Sequence, residues 1–429
     1  MRRALSLTQY LLQTGDNTDN AYAHVLSPVA IALKVLSATI SRGSLILPGR
    51  TPDQVRDGVD QRWHADETDR TLQEAAVKTI LTHGASGDRL AAVSFSHEEE
   101  IHQVCDGPDA RYLLAVDALH RPTSLIENQP IGLTFSIIER SKEGGPVTEG
   151  EFLRSGHDIL CAGLALFGPA TILLVSTGEG VDAFTLDREV GNFVLTSADM
   201  TLPSGSDVLA IDLSHADTWS PAVRRYVDER IRSSQTGEGR PAIMRWNNSA
   251  VLGAFRAIMN GGIFLLPRLA PREPGPKDNP SSQSVQHSAD SQGDQGSHEL
   301  ESAESMPDVA DAGASEGSAD SQATKDSAPH RWSQSVRNPL GTPEEGVPLI
   351  HTAGPIAMLI EQAGGAATNG GSRIADLVPQ SLHERVPIML GATGDVFLIE
   401  RYADEYEKGY ATEVEYPLFH NRTLFIQGT

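Results

Sequence analysis

Residues 159–187 read ILCAGLALFGPATILLVSTGEGVDAFTLD. Ile159 to Gly178 carry no charged side chain, and about twenty apolar residues is the length a bilayer span needs. Gly168-Pro169 splits the run, and Thr171, Ser176 and Thr177 lie inside it. That suits a protein interior better than lipid. The expected local structure is a buried helix up to the break, then a buried strand, TILLVS (171–176), and a further strand, DAFTLD (182–187).

More strands are expected at YLLAVDAL (112–119), IGLTFSII (131–138), NFVLTS (192–197) and IFLLP (263–267). Many alternate in polarity or come in adjacent pairs, which argues for a mixed or largely antiparallel sheet. Ser220-Pro221 predicts a helix start, a capping residue followed by proline in the first turn. Val223, Tyr226, Val227 and Ile231 then share one helical face. A second helix is predicted from Ser249, stopped by Asn260-Gly261-Gly262, and a third from Pro355, ended by Gly364-Gly365. Helices and sheets in layers are the expected architecture.

The 429 residues are 39% hydrophobic and 21% charged, enough for a large core and two or three domains. Fifty-seven acidic against 34 basic residues give a formal charge of −23. That weighs against nucleic acid or an anionic membrane as partner, because both require a cationic surface. Two cysteines, Cys105 and Cys161, are too few for a disulfide framework or a zinc ribbon. The start, MRRALSLTQYLLQTGD, has no apolar segment long enough for a secretory leader. A cytoplasmic setting is expected.

Residues 272–337 differ from both flanks. Between Glu273 and Pro329 there are twelve Asp or Glu, two Lys, no aromatic residue and no Ile. Such a composition buries too little apolar area to offset the entropy of ordering. The segment is expected to be a disordered acidic insertion in a C-terminal half (201–429) that follows an N-terminal half (1–200).

Several segments, in order, resemble the class I fructose-1,6-bisphosphatase family: AGLALFGPATILLVSTGEGVDAFTLD (162–187), WSPAVRRYVDE (219–229), NGGIFLLP (260–267) and IEQAGGAATNGGSRIADLVPQSLHERVPIMLG (360–391). The resemblance implies an α/β fold, the layered αβαβα sandwich of the fructose-1,6-bisphosphatase and inositol phosphatase type. It also implies hydrolysis of fructose 1,6-bisphosphate to fructose 6-phosphate, with carboxylate-held Mg²⁺ ions bridging the phosphate and an attacking water.

The site motifs depart from that pattern. In LAAVSFSHEEEIHQV (90–104), Ser96 and His97 occupy the family's two Glu positions. A two-residue slip would place Glu98 and Glu99 there instead, with Glu98–Glu100 otherwise a solvated turn. The family's D-P-L-D-G-S-S-N reads Asp117-Ala118-Leu119-His120-Arg121-Pro122-Thr123-Ser124, so Asp117 remains and His120 replaces the second Asp. Thr352, after His351 in PLIHTAGP, stands at the last Glu, and an upstream Asp corresponds to Asp69 in ETDRTLQE. In the sugar-phosphate pocket the resemblance points to Asp212, His215 and Arg245, with Leu266, Gly346 and Pro348 replacing a Tyr, a Lys and an Arg. Phosphate recognition depends on cationic donors.

With most ligands substituted, Mg²⁺ binding is expected to be weak or lost. The expected function is a catalytically impaired homologue acting by binding or assembly, as a homo-oligomer or with an active paralogue, its affinity for a sugar phosphate in doubt. The alternatives are an active Mg²⁺-dependent fructose-1,6-bisphosphatase of gluconeogenesis or the Calvin cycle, and a sugar-phosphate phosphatase using a transition metal on His97, His120 and Asp117. Imidazoles suit such metals better than Mg²⁺.

Overall fold

The computed structural model describes residues 5–13, 23–46, 61–141, 144–236, 242–267 and 346–410. The expected acidic insertion lies outside the described residues.

Three helices come first: α1 (Leu7–Gln13), α2 (Ala23–Ile40) and α3 (Gln61–Thr79). Eight strands follow: β1 (Leu90–Phe95), β2 (His102–Gln103), β3 (Tyr112–His120), β4 (Ile131–Glu139), β5 (Ile159–Phe167), β6 (Thr171–Ser176), β7 (Asp182–Asp187) and β8 (Asn192–Ser197). They form one sheet in the order β2-β1-β3-β4-β5-β6-β7-β8. From β3 to β8 it is an antiparallel meander, and β1 runs parallel to β3.

The rest alternates strand and helix: β9 (Val208–Ile211), α4 (Pro221–Thr236), β10 (Ile243–Arg245), α5 (Ala250–Asn260), β11 (Ile263–Leu266), β12 (Val347–Pro348), α6 (Gly354–Gln362), β13 (Ala366–Thr368), β14 (Arg385–Val386), β15 (Ile388–Gly391) and α7 (Thr393–Glu407). A second sheet takes the order β10-β9-β11-β15-β13.

The helices form where their caps are. Ser249 Oγ accepts the amide of Leu252 at the head of α5, and Gly261 closes that helix with φ +71. On α4, Val223, Tyr226 and Val227 are buried as their spacing requires.

Alternating side chains divide the interior into layers. On β5, Cys161, Ala165 and Phe167 face the core shared with α1, α2 and α3, whereas Ala162, Leu164 and Leu166 face the core shared with α5 and α6. On the second sheet, Ala210, Phe264, Leu266, Ile388 and Leu390 meet α5 and α6. Leu209, Ile211, Ile263, Leu265 and Met389 meet α4 and α7. The result is helix, sheet, helix, sheet, helix: the layered α/β sandwich.

The helix expected in 159–167 is a strand. Both faces of β5 are covered, so no polar residue alternates with the apolar ones, and a short apolar run does not distinguish a buried strand from a buried helix. Gly163 suits this position because a Cβ there would lie 2.1 Å from Cζ of Phe135 on β4. The charge-free stretch 159–178 is thus two paired strands. Among the described residues one helix, α2, is long and apolar enough to cross a bilayer by length and composition. Half of that length is buried in the protein, and its inner side is the N-terminal core.

Candidate active site

β1 and β3 run parallel, so their C-terminal ends deliver Ser96 and Asp117 to one place. The amide of Ser96 donates to the carbonyl of Val116 at 3.0 Å. Residues three apart on a regular strand face opposite ways. The β3–β4 register breaks between Asp117 and His120, and this irregularity lets both side chains meet.

Asp117 is 5% exposed. Its Oδ1 accepts from Ser96 Oγ at 2.8 Å, and its Oδ2 accepts from Thr352 Oγ1 at 2.8 Å and from His120 Nδ1 at 3.0 Å. Thr352 comes from the π-type turn 349–353 that leads into α6. Burial by itself would raise the Asp117 carboxyl; the bonds from His120, Thr352 and Ser96 outweigh it and hold the group well below the usual carboxylate range.

Next to Thr352, His351 is fully buried. Its Nε2 shares a 2.8 Å bond with Ser94 Oγ, and its carbonyl accepts Thr134 Oγ1 at 2.8 Å. Its ring stacks on His383 with centroids 5.9 Å apart and planes 11° from parallel. Burial, followed by the proximity of His383, pushes His351 down to about 3, against the opposing pull of Asp117. His97 is also buried and lowered, chiefly by burial. The β12–β14 ladder, with Val347 opposite Val386, brings the His351 turn beside His383, a pairing with no signal in the local sequence.

The two-residue slip is not made. Ser96 keeps the place facing Asp117, Glu98 Oε2 accepts from His102 Nε2 at 2.5 Å, and Glu99 is exposed. The pair with Glu98 is the main reason His102 is raised. The expected solvated turn 98–100 is also corrected at Glu98, which is 8% exposed because His102 covers it.

Asp69 on α3 does reach the site: its Oδ1 accepts the amide of Thr123 at 2.6 Å, in the turn 122–125. Arg121 caps that turn with φ +53, in the left-handed region that favours glycine. Asp212 follows β9 and accepts the indole Nε1 of Trp246 at 3.0 Å, a partner that sequence reasoning missed. Arg245 is exposed on the edge strand β10, close enough to Arg256 for its charge to act there. His215 falls in the turn 213–218, and its side chain lies outside the described residues.

Mg²⁺ needs several hard oxygen ligands in near-octahedral array. Where the resemblance implies carboxylate ligands, Ser96, His120 and Thr352 instead direct protons at Asp117, so the residues present do not fit a magnesium cluster. The expected His97–His120–Asp117 transition-metal site is corrected in the same way. The three do gather, but Nδ1 of His120 is spent on Asp117, and among the described residues no group of three or more His, Cys, Asp or Glu is placed to hold a metal ion. Nε2 of His120, Nδ1 of His351 and both nitrogens of His383 are buried without a hydrogen-bond partner among the described residues.

Residues 6–198 match the family described as Fructose-1-6-bisphosphatase, N-terminal domain, and residues 338–404 its C-terminal domain. The chain is similar to a class 1 fructose-1,6-bisphosphatase of Methylacidiphilum infernorum (isolate V4), 29% identical over 426 residues and 98% of each chain. Its fold is similar to crystal structures of Leishmania major fructose-1,6-bisphosphatase in holo and apo forms, with TM-scores of 0.68 and 0.66. Each is 19% identical, over 94% of this chain and 99% of that one. Two family domains matched in order, a relative aligned along nearly its whole length and a shared five-layer fold agree: the chain belongs to the fructose-1,6-bisphosphatase family.

Proposed function

We propose that this chain is a catalytically impaired member of its family, one that acts in the cytoplasm through binding or assembly, with copies of itself or with an active relative, rather than through turnover. The observation that carries this reading is the commitment of Asp117 to three protein donors. Both of its oxygens accept protons from Ser96, His120 and Thr352, the residues that stand where the resemblance implies carboxylates. Three donors take up most of that carboxylate's lone-pair sites, and these neighbours add no negative charge to attract a cation.

The test is phosphate release from fructose 1,6-bisphosphate by the purified full-length chain with Mg²⁺, Mn²⁺ or Zn²⁺ at millimolar concentration. The expected result is no metal-dependent release above a buffer blank; clear metal-dependent release would overturn the reading.

A second reading, an active fructose-1,6-bisphosphatase, draws on the arrival of Asp69 at the turn after β3 and on the full-length similarity to a curated enzyme. On that reading Asp69→Asn and Asp117→Asn would each abolish the release.

A further inference from the structure

His383 faces His351 with ring centroids 5.9 Å apart and planes 11° from parallel. Among the described residues neither of its nitrogens has a hydrogen-bond partner. No bond of its own aims the ring, so the backbone that carries it must.

That backbone is held on two sides. After His383, the carbonyl of Glu384 accepts the amide of Leu349 at 2.8 Å, a bond within the C-terminal half. Before it, the amide of Leu382 donates to Glu149 Oε1 at 2.8 Å, across 233 positions of sequence, to the connection between β4 and β5. The side chain of Leu382 is buried in one cluster with Val147 and Phe152, which flank Glu149.

Glu149 itself is exposed, but the turn beneath it is anchored in the interior. It opens the single 3-10 turn Glu149–Glu151, closed by a reciprocal cap between Thr148 and Glu151. Glu151 is buried and accepts Arg140 Nε at 2.9 Å and Nη2 at 3.3 Å. Gln103 holds Val147 by both its amide and its carbonyl, at 2.9 and 3.0 Å. Desolvation offsets much of the attraction in a buried ion pair, whereas two bonds from one guanidinium fix geometry. The geometry fixed here is that of the turn carrying Glu149 to Leu382.

We propose that Arg140, Glu151 and Glu149 form a strut by which the N-terminal half sets the His383 ring over His351. Glu149 is the positioning residue, acting through the amide of Leu382. The inference goes beyond the reading of the chain as an impaired enzyme and does not depend on it, since it concerns where a ring sits and not whether phosphate is released.

The test reads the histidine ring signals by NMR in the full-length chain with isotope-labelled histidine, above the pH range in which imidazoles protonate. His351→Gln and His383→Gln assign the two signals, each by its loss. His383→Gln also shows where the His351 signal falls when no ring stacks on it. Glu149→Ala removes the acceptor and should move the His351 signal toward that position, with the His24 signal on α2 unmoved. Glu149→Gln keeps an oxygen for the Leu382 amide and should leave the His351 signal where the parent has it. Arg140→Lys keeps the charge but loses the two-bonded geometry, and should move the signal in the same direction as Glu149→Ala. If the lysine variant does not fold, Glu151→Gln takes its place; the Glu149 variants alter an exposed side chain and keep the proposal testable in either case.

Parent ring signals in Glu149→Ala would overturn the proposal. So would equal shifts in Glu149→Ala and Glu149→Gln, or an Arg140→Lys chain that loses thermal stability while its His351 signal stays in place, the behaviour of a purely structural ion pair. The outcomes are separable from the phosphate-release assay: metal-dependent release ends the view of an impaired enzyme and leaves the strut standing, whereas unmoved ring signals end the strut alone.

Discussion

Asp117 keeps its charge at the price of its neighbours' freedom. Ser96, Thr352 and His120 are all committed to it, while His97 and His351 lie buried nearby and are held neutral by desolvation. For His351, lowered to about 3 from an ordinary 6.5, the unfolded chain takes up a proton between those values and the folded chain does not. Stability is therefore complete above about pH 6.5 and declines as the pH falls through that window, by on the order of 2 kcal/mol at pH 5. His97 acts in the same direction. His102 acts in the opposite one, since its raised value stabilises the fold at low pH and is lost as the pH rises through it. Two groups against one predict a Tm that falls between pH 7 and pH 5. His351→Gln, which keeps a polar partner for Ser94, should flatten the decline. Equal slopes for parent and variant in a thermal melt series would remove His351 from the account.

At the scale of the element, β5 bears the tightest constraint. It separates two cores, and its glycine exists for a ring: a Cβ on Gly163 would fall 2.1 Å from Cζ of Phe135 and 2.3 Å from Cε1. Gly163→Ala should destabilise by about 1–3 kcal/mol, the usual cost of overpacking. Adding Phe135→Leu should restore part of it if the clash is the cause. Chemical denaturation of the single and double variants checks this, and additive losses would argue against direct contact. The same strand shows where reading a sequence fails. Its period-two alternation is invisible because both faces are apolar, whereas NFVLTS, with its exposed half, could be read as a strand at once. The irregularity in β3 that turns His120 toward Asp117 leaves no mark in YLLAVDALH.

For the whole molecule, the central core decides cooperativity. It takes Ala162, Leu164 and Leu174 from the first sheet, Ala254 and Ile356 from the helices between, and Phe264 and Leu390 from the second sheet. No layer can leave without exposing apolar surface on the next. The folded layers should therefore melt in a single calorimetric transition, with van't Hoff and calorimetric enthalpies in agreement. Two resolved peaks would mean that the sheets are independent.

The sequence by itself determined the family, the sandwich and most element positions, because capping residues, glycine stops and apolar periodicity are local and were read in place. It also placed an aspartate at 117 with Ser, His and Thr where the resemblance implies carboxylates. Only the tertiary structure decided what those replacements do. Ser96, His120 and Thr352 converge on one carboxylate, Glu98 turns away to His102, and Asp69 accepts the amide of Thr123. The physical reason is range: a hydrogen bond or an ion pair joins atoms about 3 Å apart in space, and here the partners lie up to 257 residues apart along the chain.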